Sequence, residues 1–142
     1  MIDTDDRLDP ASRALGIRLD EVGGGRATAR MRVTETMVNL HGVAHGGYVF
    51  LLADAAFAYA CNSRGPVTVA QGAQVTFLRP VQAGEELTAE AVERARIGAN
   101  GIYDVTVRRA GGDDTGDTEV VAEFRGHSVA LARRPPTRPP TR

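Results

Sequence analysis

One run of residues constrains this chain more than any other. Tyr48-Val-Phe-Leu-Leu-Ala-Asp-Ala-Ala-Phe-Ala-Tyr-Ala-Cys61 carries a single charge, that of Asp54. The run reads as a helix that is apolar all the way round, and such a helix is buried rather than laid on a surface. A carboxylate inside it loses its hydration, at a cost of roughly several kcal/mol unless partners replace the water. Two readings follow: a structural carboxylate held by hydrogen bonds, or a group kept there for chemistry. The run begins directly after His45-Gly46-Gly47, which favours chemistry.

The rest of the chain predicts what surrounds that helix. Asp9-Pro10-Ala-Ser-Arg-Ala-Leu-Gly16 has a capping Asp, Pro at the first helical position and Gly at the end, so a short helix is expected. Residues 17–20 and 26–33 alternate apolar and polar about Gly23-Gly24-Gly25, the pattern of a hairpin. Thr34 to His45 is a loop, and Gly65-Pro66 stops the long helix. Four strand-like runs follow, at residues 67–78, 86–97, 101–109 and 118–131, and they read as a meander. Turns fall at residues 80–84, 98–101 and 111–116. A helix apolar on every face needs cover on every face. One antiparallel sheet wrapped round it covers most of that surface, and a second copy of the chain completes the cover.

At 142 residues the chain is expected to form one domain over residues 1–132. Residues 133–142, with four prolines and four arginines, are expected to form a disordered tail. The net charge of −1 leaves no bulk electrostatic case for nucleic acid or an anionic membrane as partner. Every basic residue is arginine, a uniform bias rather than a local signal. The single cysteine, Cys61, excludes an internal disulfide and reads as a small buried hydrophobe. The acidic start, Met-Ile-Asp-Thr-Asp-Asp, lacks the basic region of a secretion signal, and the apolar run is too short to span a bilayer. A soluble cytoplasmic protein is the expectation.

The residues with chemical potential cluster about the start of the long helix. Helix N-termini offer free N–H groups and a positive partial charge, and glycine lets a substrate approach the backbone. Gly46 therefore suits polarisation of a carbonyl oxygen, although phosphate binding and plain turn geometry also use such starts. Asp54 lies eight residues further on, roughly 12 Å along the axis at 1.5 Å per residue. A reacting carbonyl needs its attacking group and its oxyanion donor each within about 3 Å. One chain hardly meets both demands, but two antiparallel copies of the helix do, with Gly46 of one facing Asp54 of the other. Asn39 and His45 are polar groups nearby that either hold water and carboxylate or satisfy the local backbone. His41 and His45 have no acidic or cysteine partners to make a metal site.

These residues resemble a known family. Asn39-x-x-Gly42-x-x-His45-Gly46-Gly47, Phe50, and Leu52-Ala-Asp54-Ala-Ala-Phe57-Ala-Tyr-Ala-Cys-Asn62-Ser63 match the PaaI-type branch, named for phenylacetic acid degradation, of the hotdog-fold acyl-CoA thioesterases. Phe77-Leu-Arg-Pro80, Gly84, Gly101-x-Tyr103-Asp104 and Phe124-Arg-Gly126 extend the match. The resemblance implies an α+β hotdog fold, a long central helix wrapped by an antiparallel sheet. It implies a homodimer with composite sites, assembling to a homotetramer, that hydrolyses acyl-CoA thioesters without a cofactor. Aryl-acetyl groups, as in phenylacetyl-CoA or hydroxyphenylacetyl-CoA, are the substrates it implies. By position, Asp54 is the general base or nucleophile, the Gly46 N–H polarises the carbonyl, Asn39 orients the water and His45 sits beside the reacting group. Gly47, Gln71, Phe77 and Arg79 are the expected substrate contacts. Some related members carry a serine or threonine early in the strand after the helix. Here Ala70-Gln-Gly-Ala-Gln74 has no hydroxyl, and Gln71 is the substitute. Arg79, Arg96 and Arg125 are candidates for the CoA phosphates. A hotdog hydratase or dehydratase, or a non-catalytic acyl-CoA binding protein, is the alternative.

Overall fold

The computed structural model describes residues 7–111 and 116–131. Helix α1 covers Pro10–Ala14, and the long helix α2 covers Gly46–Asn62. Six strands accompany them: β1 Arg18–Gly23, β2 Arg26–Arg32, β3 Thr68–Phe77, β4 Glu86–Ile97, β5 Asn100–Ala110 and β6 Thr118–Ala130. Asp9 caps α1 as its sequence predicts, its carboxylate accepting the Ser12 N–H at 2.8 Å. The glycine turn joins β1 to β2 in an antiparallel hairpin.

All six strands form one antiparallel sheet in the order β1-β2-β4-β5-β6-β3. The expected four-strand meander is corrected here. Only β4, β5 and β6 meander, and β3 lies beyond β6 at the far edge. The reason is α2, which carries the chain across the sheet from the β2 side before β3 begins. Residues 78–85 then bring it back to start β4 beside β2. The strand pattern of β3 gives no hint of this, because the periodicity of a strand does not name its neighbours.

One face of α2 packs on the concave face of the sheet. Leu52, Ala53, Ala56, Phe57 and Ala60 are buried there against inward residues such as Ala29, Met31, Leu87, Ala89, Val105 and Phe124. Alanines at Ala27, Ala29, Ala89 and Ala91 keep the sheet low under the helix. Gly126 serves the same end, since a β-carbon on it would stand 2.7 Å from the Phe57 ring. Burying such side chains contributes about 1.5–3 kcal/mol each for the larger ones.

The opposite stripe of α2 is the part of the apolar helix that one sheet leaves uncovered. Gly47 and Ala58 are exposed, and Leu51 and Asp54 are only half-buried. These positions recur at intervals of three and four, so they form one line along the helix. A single sheet covers one face of a helix, and the remaining stripe is left open in the protomer. Strand β3 is also open. Every position from Val69 to Gln74 is exposed, and so are Thr76 and Phe77 beyond the half-buried Val75. The tail at residues 133–142 and most of the turn expected at 111–116 lie outside the described residues. No described helix is long and apolar enough to cross a membrane.

Candidate active site

The start of α2 is built by a tight loop. The Asn39 side-chain oxygen accepts the N–H groups of His41 at 2.9 Å and Val43 at 3.2 Å, closing an Asx turn in which Gly42 takes a positive φ of 77°. Isolated bridges pair Val38 with Ala44 and Val43 with Gln82. The Ala44 N–H donates to the Val81 carbonyl at 2.7 Å, and the His45 N–H to that of Met37 at 2.9 Å. His45 is the N-cap with extended backbone, but its exposed side chain makes no capping bond. Among the described residues the N–H groups of Gly46 and Gly47 have no hydrogen-bond partner. They are the free donors that a helix start leaves over.

Gly46 lines a cleft of about 380 Å³ together with Val43, Val49, Phe77, Arg79 and Val121, among others. The Phe77 ring lies directly on Gly46, and only glycine leaves room for it there. Phe77 is 50% exposed, so its outer face is a free aromatic wall. Arg79 also lines the cleft. Its Nη1 donates to the Val120 carbonyl at 2.5 Å, and Glu119 lies 3.8 Å from its Nε. Gly46, Phe77 and Arg79, three of the expected site residues, are thereby brought together.

Asp54 is not in this cleft. It lies two turns further along α2 on the open stripe, with no hydrogen-bond partner among the described residues. Burial pushes its carboxyl above the ordinary value, and the negative charge of Asp9 adds to the shift. Asp9 is held beside α2 by Tyr59, whose hydroxyl accepts the Asp9 N–H at 2.8 Å and donates to the Asp9 carboxylate at 3.1 Å. The sequence offers no sign of this neighbour, since Asp9 reads only as a helix cap. Cys61 is buried, and burial pushes its thiol up to about 11, so it stays a protonated, inert thiol.

The remaining candidates scatter. Gly47 is exposed on the open stripe with free space before it. Gln71 sits in the bulge of β3, where its amide donates to the Asn100 side chain at 3.3 Å, beside His127. His127 follows Gly126, which lies beneath Phe57, so this cluster is on the face of the sheet away from α2. Arg125 is tied to Asp104, and Arg96 stands 3.8 Å from Glu93. Neither arginine lines the cleft. The sequence reading missed Leu78, Pro80 and Val81 as cleft wall, because a loop between strands carries no periodicity to place it.

Known proteins share this fold. Residues 41–115 match the model of the thioesterase superfamily. The chain is 42% identical over 120 residues to acyl-coenzyme A thioesterase PaaI of Escherichia coli strain K12, a match covering 84% of this chain and 81% of that one. The structure of the E. coli PaaI protein from the phenylacetic acid degradation operon superposes with a TM-score of 0.81 at 40% identity, covering 89% of this chain and 87% of the other. A mutant of the phenylacetic acid degradation protein PaaI from Thermus thermophilus gives a TM-score of 0.78 at 36% identity, covering 87% and 100%. The chain therefore belongs to the thioesterase superfamily, and within it to the PaaI-type hotdog-fold acyl-CoA thioesterases.

Proposed function

We propose that the chain hydrolyses aryl-acetyl thioesters of coenzyme A, phenylacetyl-CoA or hydroxyphenylacetyl-CoA, at two composite sites of a homodimer. The observation that carries this reading is a separation. The free Gly46 N–H and its cleft lie at one end of α2, and the half-buried Asp54 lies on the open stripe two turns away. A two-fold axis running antiparallel copies of α2 past each other brings one chain's Gly46 to its partner's carboxylate. The exposed edge strand β3 supports such a dimer, since pairing it with its own copy satisfies both free edges. Two dimers then assemble to a homotetramer, as the resemblance implies.

In this site the thioester oxygen accepts the Gly46 N–H, and the α2 dipole favours the charge that develops there. Asp54 of the second chain takes a proton from a water that attacks the carbonyl carbon. The carbon–sulfur bond breaks, and the proton passes to the departing thiolate. The Asn39 oxygen is committed to its turn, which leaves the amide N–H groups to hold that water. His45 flanks the reacting group, and the Phe77 wall suits an aryl ring. A thioester is already activated, so a carboxylate and an oxyanion donor suffice. The PaaI relatives, one of them from a phenylacetic acid degradation operon, support the aryl-acetyl choice.

The test is a panel of CoA thioesters followed by free-thiol release. Phenylacetyl-CoA and hydroxyphenylacetyl-CoA are expected to exceed acetyl-CoA and long-chain acyl-CoA in kcat/KM. Hydration of crotonyl-CoA without thiol release would instead make the chain a hydratase.

A further inference from the structure

Arg109 lies on β5, outside every motif that the sequence makes conspicuous. It is only 20% exposed, and all three of its nitrogens are engaged. Nη1 donates to the Pro80 carbonyl at 2.6 Å and to Glu85 at 3.1 Å. Nη2 and Nε both donate to one oxygen of Glu119, at 3.0 and 3.3 Å. Hydrogen bonding to Glu119 raises the guanidinium above its ordinary value, so it is charged throughout. The carboxylates come from different parts of the chain, Glu85 from the loop before β4 and Glu119 from β6.

The Pro80 carbonyl is the informative partner. Pro80 and Val81 are both in the cleft wall. The next carbonyl, that of Val81, accepts the Ala44 N–H at 2.7 Å, and Ala44 stands two residues before Gly46. Glu85 grips the same loop from the other side by accepting the Gln82 N–H at 3.0 Å. Val43, in turn, bridges to Gln82. A continuous line of bonds thus runs from the Arg109 guanidinium through residues 80–82 to residues 43–44 and the start of α2. Glu119 extends the line to Arg79, which also lines the cleft.

We propose that Arg109 is a positioning residue for hydrolysis: it fixes the 80–85 loop, and through that loop the place of the Gly46 N–H that meets the thioester oxygen. The inference rests on the thioesterase reading of this cleft. A planar, five-donor guanidinium suits the task, because it bonds a carbonyl and two carboxylates at once. Lysine keeps the charge but cannot hold all three partners. Misplacing an oxyanion donor by a fraction of an ångström weakens the transition state more than the ground state.

The experiment uses the full-length Arg109→Lys chain with two non-hydrolysable CoA ligands. One is a thioether that has no carbonyl oxygen, and the other is a ketone that keeps the carbonyl but replaces sulfur by methylene. Glu85→Gln, which keeps shape and loses charge at a less crowded point, serves as the second variant. The expected result is a fall of about tenfold in kcat, with KM within about twofold. Binding of the ketone, which keeps the ground-state carbonyl, should weaken by about the same twofold as KM, while binding of the thioether stays unchanged. Glu85→Gln should move the same quantities in the same direction by less. Equal losses on both ligands would make Arg109 a purely structural brace and overturn the proposal, as would wild-type kcat in both variants. Wild-type protein that releases no thiol from any CoA ester would overturn the thioesterase reading instead, and the two ligands would still report separately on the loop.

Discussion

The Phe77 ring closes over Gly46 so tightly that a β-carbon on Gly46 would stand 2.6 Å from the ring's Cζ atom. Gly46→Ala must therefore displace the half-exposed ring rather than the backbone. Overpacking of this kind costs roughly 1–3 kcal/mol, and the low end applies where the ring can swing outward. Chemical denaturation should show a loss of about 1 kcal/mol, with much of it recovered in the Gly46→Ala, Phe77→Ala double variant. Thiol release should not recover, because the aromatic wall of the cleft is then gone.

The raised carboxyl of Asp54 predicts a pH dependence. A base works only when deprotonated, so the acid limb of kcat/KM should lie above the ordinary aspartate value of about 3.9. Asp9 contributes through its charge. Burial pushes the Asp9 carboxyl up, but hydrogen bonds from Ser12 and Tyr59 outweigh that and hold it below its usual value. Asp9→Asn should shift the limb toward acid. A limb that stays in place would leave Asp9 without a part in the titration.

The same shift has a sign for stability. A carboxyl raised in the folded state favours folding while protonated, and that contribution is lost as pH rises through the folded value. The charged form is the unfavourable one near neutrality. Asp54→Asn should therefore melt above wild type at pH 7, and the gap should narrow below about pH 4. Melting curves at the two pH values check this.

Strand β3 bears on assembly. In the proposed dimer a two-fold axis through the middle of β3 sets a central residue near its own copy, and like charges opposed across strands repel. Ala73 is exposed in the protomer, so Ala73→Asp should leave the fold intact. Light scattering should show monomers at concentrations where the proposed wild-type dimer or tetramer forms, and thiol release should fall with the assembled fraction.

Much of this molecule is legible without coordinates. Alternation marks β2, β4 and β5 because each buries one face, as Ala27, Ala29 and Met31 do on β2. Gly46, Phe77 and Arg79 of the expected site do converge on one cleft. The place of β3 is not legible, because a strand exposed on both faces has no burial pattern to read. Nor is the Arg109 brace, whose partners Pro80, Glu85 and Glu119 lie far apart in sequence. The all-apolar run places Asp54 on a buried helix but does not say which stripe one sheet leaves open, and Asp54 lies on that stripe.

A cross-chain site predicts complementation. Asp54→Asn and Gly46→Val chains should each be inactive alone. Refolded together in equal amounts, half the dimers are mixed, and each mixed dimer carries one intact site of two. About a quarter of wild-type activity should return. Mixed dimers that form, as tagged chains reveal, and yet stay inactive would place both groups in one chain.

The most direct measurement is steady-state thiol release by Asp54→Asn, with acyl-CoA binding measured on the same preparation. The expected fall in kcat is at least about a hundredfold, with binding of the CoA ester retained and the dimer intact. A variant that turns over within a few-fold of wild type would contradict the role of Asp54 as base, because no other described carboxylate lies on the open stripe of α2.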